Sequence, residues 1–101
     1  MAELPLRISG LAQPHLERIR RYHHELGGDP RVHQLDRAIA QLLADICAFP
    51  GAYAIWHGTI RRIVSRRFHL AVYYRIHADH ILVMLVTDQR QDPRRLRFTK
   101  S

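Results

Sequence analysis

The stretch GTIRRIVSRRFHLAVYYRIHADHILVMLVTDQRQDPRRL, Gly58 to Leu96, decides the fold. Two apolar runs, His69 to Ile76 and Ile81 to Asp88, flank a short polar turn, His77-Ala78-Asp79-His80. Both runs are rich in Val, Ile, Leu and Tyr and too short for typical helices, so they read as a β-hairpin. In the first run, Leu70, Val72, Tyr74 and Ile76 share one face, while His69, Ala71, Tyr73 and Arg75 share the other. The second run is apolar on both faces, as a central strand is. A third run, Ile60 to Val64, precedes them. Arginines stand at the ends of all three, so a small sheet carries a positively charged rim.

Upstream, Leu4 to Ser9 reads as a first strand. Pro5 suits an edge position, where no ladder hydrogen bond is lost. Gly10 ends it, and Pro14 suits the first turn of a helix. Leu16, Ile19, Tyr22 (or His23) and Leu26 follow at helical spacing. Gly27-Gly28 closes that helix, and Asp29-Pro30 opens a second as N-cap and first-turn proline. The second apolar stripe is Val32, Leu35, Ile39, Leu42, Leu43 and Ile46. Phe49-Pro50-Gly51 stops it. Residues 52–57 give the weakest pattern of the chain and are assigned no element. Trp56, the one tryptophan, reads as a lid over the helices; the other reading is an exposed anchor for a partner. The order is β-α-α-β-β-β. One α+β domain over residues 1–101 is expected, with a helical hairpin on one face of a small, mainly antiparallel sheet. The other face, with Tyr73, Arg75 and the rim arginines, is then the functional candidate.

Charge is divided unevenly. Residues 1–57 hold six arginines against six acids, and residues 58–101 hold nine arginines and Lys100 against Asp79, Asp88 and Asp92. The whole excess of +7 therefore lies in the second part. A one-sided basic surface points to a polyanion or an acidic protein partner, and the arginine fork suits phosphate and carboxylate. No run approaches the ~18 apolar residues of a membrane helix. The opening MAELPLRIS shows no secretory signal. Cys47, the single cysteine, excludes an internal disulfide, suits a reducing cytoplasm and reads as a buried structural thiol. No phosphate-binding glycine loop, zinc cysteine set or Gly-x-Ser-x-Gly elbow occurs. The histidines lack the carboxylate or cysteine company of a metal site. No metal or other cofactor is expected.

Gly58, Thr59 and Arg61 on one strand, Tyr74 and Arg75 closing the next, and Arg90, Asp92 and Pro93 after the last together resemble the RelE/ParE superfamily of toxins. The resemblance covers the second half well and the first half in outline. It implies the toxin of a type II toxin-antitoxin (plasmid stabilisation) system. A small acidic antitoxin would neutralise it, and operator DNA would be contacted only through that antitoxin. Two targets follow from the two branches. The RelE branch implies messenger RNA cleavage on the ribosome. That reaction needs a base, a cationic stabiliser and an acid. Arg61, Arg66, Arg67, Arg75 and Arg90 are the candidate stabilisers, and His69, Tyr73 or Asp88 the candidate proton carriers.

Many superfamily members carry a histidine where this chain has Asp88, and a carboxylate set among arginines makes a poor acid. Phe98 lacks the hydroxyl of the functional aromatic found in some ribonuclease members. The ParE branch implies a toxin without chemistry of its own that poisons DNA gyrase, and the Gly-Thr-x-Arg and Arg-x-Asp-Pro elements stand closer to it. The expected target-binding surface is Arg61, Arg66, Arg67, His69, Tyr73, Arg75, Arg90, Arg94 and Arg95. Antiparallel pairing brings Arg90 toward Arg66, Arg67 and His69, with Asp88 holding an arginine. As a ribonuclease, the chain would use Arg66, His69, Asp88 and Arg90. A basic nucleic-acid-binding module unrelated to toxins is the alternative from another class. Against it, the sheet lacks the interleaved exposed aromatics of an RNA platform, apart from Tyr73.

Overall fold

The computed structural model describes residues 3–88. Strand β1 (Leu6–Ile8) leads into helix α1 (Ala12–Ala48), followed by β2 (Ile55–His57), β3 (Ile60–Ser65), β4 (Leu70–Ile76) and β5 (Ile81–Asp88). The sheet order is β1-β5-β4-β3-β2. Only β1 on β5 is parallel; the other three pairings are antiparallel. β1 lies on an edge, where Pro5 is tolerated.

The two expected helices form one helical element instead of a hairpin of separate helices. No loop divides Ala12–Ala48, but Gly28 leaves helical geometry at φ 67 and ψ −160. Glycine alone adopts that backbone without strain. The kink there is sharp. A straight helix of 37 residues would run about 55 Å, beyond the 39 Å longest extent of the molecule. Arg20 and Asp36 would stand about 24 Å apart in such a helix, yet their side chains meet at 3.2 Å. The element therefore doubles back into two arms. Pro30 sits just past the kink, where its missing N–H costs little.

Ile19 from the first arm and Leu35, Ile39, Leu42 and Ile46 from the second bury against one sheet face. Val72, Tyr74, Ile81, Val83 and Val86 meet them there. The chain leaves the second arm at Phe49, as Phe49-Pro50-Gly51 predicts. Cys47 is half-buried rather than sealed, and burial pushes its thiol up.

Two further expectations are corrected. Residues 52–57, which carry no readable pattern, are not all loop: Ile55–His57 adds a fifth strand beside β3. It is three residues long and exposed throughout, so it has no alternating pattern to reveal it. The second sheet face is not open either. Ile60, Ala71, Tyr73 and Leu85 form a small apolar cluster of their own, with Met84 packed against it. A bulge in β5 opposite Tyr73 and Tyr74 shifts the strand's alternation by one residue. That shift sends both Val83 and Val86 to the helical face.

Candidate functional site

Asp88 ends β5 opposite Leu70, the first residue of β4. Leu70 faces the helical arms, and so does Asp88. Its carboxylate is wholly buried and meets His23 Nε2 at 2.9 Å, with the imidazole equally buried. The other ring nitrogen, Nδ1, accepts a hydrogen bond from Arg31 Nε at 2.9 Å. An acceptor nitrogen carries no proton, so His23 Nε2 is the protonated atom and donates to Asp88. The relay thus joins the first arm (His23), the second arm (Arg31) and the last strand (Asp88). Gly28 makes this possible, because only a reversal brings Arg31 back onto His23.

Phe68, buried in the β3–β4 turn, sits edge-on to His23 with ring centroids 5.6 Å apart. Two guanidiniums lie over its ring, Arg31 at 5.9 Å and Arg67 at 5.6 Å. The turn before β4 therefore does neighbour the end of β5, as the antiparallel register predicts. Within it, Arg66, Arg67 and His69 are exposed. His69 holds a left-handed backbone, φ 54, uncommon for a residue with a Cβ. Asp88 holds His23 directly and reaches Arg31 through it. Arg90, Arg94 and Arg95 lie outside the described residues.

The remaining expected residues are spread over the molecule. Arg61 spends its guanidinium on the loop after α1, donating to Gly51 O at 3.2 Å and Tyr53 O at 2.7 Å. Its cross-strand neighbour Tyr74 donates to Pro50 O at 2.6 Å. Burial pushes the Tyr74 hydroxyl up to about 12, against a smaller opposing pull from Arg61. Both residues therefore clamp the helix exit. Tyr73 is buried rather than displayed, edge-on to Trp56 with centroids 5.2 Å apart. Trp56 covers that second face and does not lie over the helices. It stays 41% exposed, so about two fifths of its surface still faces outward. Arg75 is half-buried, and its Nε finds no hydrogen-bond partner among the described residues.

At the opposite end of the hairpin, His77 and His80 stack with ring centroids 4.6 Å apart. His80 Nδ1 lies 2.7 Å from Asp79 Oδ1. That bond and the nearby imidazole lower the Asp79 carboxyl. Among the described residues, no group of three or more His, Cys, Asp or Glu is placed to hold a metal ion. No described helix is long and apolar enough to cross a membrane.

Sequence reasoning missed His23 and Arg31. His23 occupies a buried position of the helical stripe, so its spacing reads as core. Its partner Asp88 lies 65 residues away. The one available signal was a charge-capable side chain on an apolar stripe, which asks for a buried partner.

The family model for the ParE toxin of type II toxin-antitoxin system, parDE, matches residues 6–93. Among solved structures, a chain described as "Chromosomal ParDE TA system from P. aeruginosa" superposes with a TM-score of 0.74. The match covers 85% of this chain and 96% of that one, at 16% sequence identity, a likeness of fold. No curated protein matches.

Proposed function

The chain belongs to the ParE toxin family of type II toxin-antitoxin systems, and from that premise we propose that it acts by docking on DNA gyrase and inhibiting it, with no chemistry of its own. The observation that carries this reading is the sealing of Asp88. A general acid or base must reach within hydrogen-bond distance of its substrate. Asp88 and His23 are wholly buried and bonded to each other, beyond the reach of an RNA 2′-hydroxyl. What the same end of the sheet offers outward is the exposed pair Arg66 and Arg67. Exposed guanidiniums on a rigid sheet suit electrostatic docking on an acidic surface.

The neutralising partner in this reading is a small acidic antitoxin, the ParD of the system, acting in the cytoplasm. A flexible acidic segment complements a chain of net charge +7. Ribosome-dependent messenger cleavage is the second reading. One observation favours it: His69 is exposed between Arg67 and β4, where a proton carrier beside cations would stand. Induced expression separates the two. Gyrase poisoning gives filamentous cells and a DNA-damage response while bulk translation continues. A ribonuclease halts translation first and leaves messages cut at ribosomal positions. Harmless over-expression without a neighbouring antitoxin gene would remove both.

A further inference from the structure

A groove of about 490 Å³ runs between the second helical arm and β3. Gln34, Arg37, Gln41, Ser65 and Arg67 supply its polar lining. Ala38, Leu42 and Val64 form an apolar floor, and Asp45 closes the far end. We infer that this groove binds the phosphodiester backbone of nucleic acid, without regard to base sequence.

Three observations carry the inference. First, positive charge exceeds negative in the groove, with two arginines against the one carboxylate of Asp45. Arg37 and Arg67 are exposed and make no ion pair among the described residues, whereas Asp45 accepts a hydrogen bond from Gln41 at 2.9 Å. Arginine, glutamine and serine side chains are the usual partners of phosphate oxygens, which only accept. Second, one end of the groove is held in place before any ligand arrives. Arg67 lies over Phe68, and Arg31 lies over the same ring with its Nε bonded to His23. Arg31 precedes Gln34 by three residues on the second arm and so shares its face. Side chains already ordered lose less entropy on binding. Third, no aromatic ring lines the groove among the described residues. Base stacking is therefore not offered, and the sugar–phosphate chain is what fits. The inference shares Arg67 with the gyrase reading but concerns a different ligand, so nucleic-acid binding and inhibition of supercoiling can fail independently.

Fluorescence anisotropy tests it, with the full chain titrated into labelled duplex DNA or labelled single-stranded RNA across a range of salt. Tighter binding of one names the source of the phosphodiester. Arg37→Gln with Arg67→Gln is the groove variant. Arg18→Gln with Arg21→Gln removes equal charge from the exposed side of the first arm. The groove variant is expected to lose about tenfold in affinity at low salt and roughly one unit of salt slope per arginine. The control keeps the wild-type slope. Equal weakening in both variants overturns the inference, because it reports net charge alone. So does the absence of binding at low salt, or tighter binding of polyglutamate than of either nucleic acid. Melting curves of both variants verify that they fold.

Discussion

The pair His23–Asp88 and the pair His80–Asp79 have similar lengths, 2.9 Å and 2.7 Å, and opposite surroundings. The first is wholly buried between the helical arms and β5. The second stands at the hairpin tip, with Asp79 80% exposed. At the tip, water competes for the Asp79 carboxylate, so the bond adds little and ties nothing distant together. Under the arms, no water replaces a lost partner, so each group depends on the others. The same chemistry is thus a local ornament at one end of the hairpin and a three-element joint at the other. It also separates position from reactivity. The buried pair holds the fold near the exposed arginines and is itself out of reach of a substrate.

The largest effect is expected at Asp88. Asp88→Ala leaves the His23 N–H buried without its acceptor, and an unsatisfied buried donor costs about 1–3 kcal/mol. For a domain of this size each kcal/mol moves the melting temperature by roughly 4–8 °C. Thermal melts followed by circular dichroism measure it. A shift as small as an exposed pair gives would erase the contrast between the two ends.

An intermediate effect belongs to Tyr74, whose buried hydroxyl reaches a half-buried carbonyl. Tyr74→Phe is expected to cost about 1 kcal/mol in urea unfolding. Its pH dependence is more diagnostic. The hydroxyl is raised to about 12 in the folded chain, so the unfolded state loses this proton first. The contribution is complete below the ordinary tyrosine value near 10 and falls as pH rises through about 12. The wild type should therefore lose stability over that window more steeply than Tyr74→Phe. Parallel profiles would mean that the hydroxyl is not held as described.

The smallest effect is expected at the tip. Asp79→Asn should leave the neutral-pH melting temperature unchanged within error. The sign of its pH effect is fixed by the lowered carboxyl. Any stabilisation is present above the ordinary carboxylate value and disappears as pH falls below it. A marked loss at neutral pH would make the tip pair as structural as the buried one.

The same contrast explains what the sequence made legible. Alternation and the polar turn located β3, β4 and β5 closely, because strand patterns are local. Helical spacing found Leu35, Ile39, Leu42 and Ile46 for the same reason. Gly28 was legible as a break, but not that one residue would suffice to reverse the helical path. β2 left no trace, since its three side chains are all exposed. Asp88 read as a carboxylate holding an arginine, and β5, apolar on both faces, conceals the bulge that fixes its phase. Its partners His23 and Arg31 are brought to it only by the tertiary fold. Tyr73 and Arg61 share this limit. Their types suggested a docking surface, whereas burial under Trp56 and the carbonyls of Gly51 and Tyr53 engage them in the fold.

The most direct measurement titrates purified protein into a gyrase supercoiling assay, with a ribosome-programmed messenger assay run alongside. A docking toxin with its carboxylate and imidazole sealed should inhibit supercoiling saturably and leave the message intact on the ribosome. Cut messages together with unimpaired supercoiling would contradict the account.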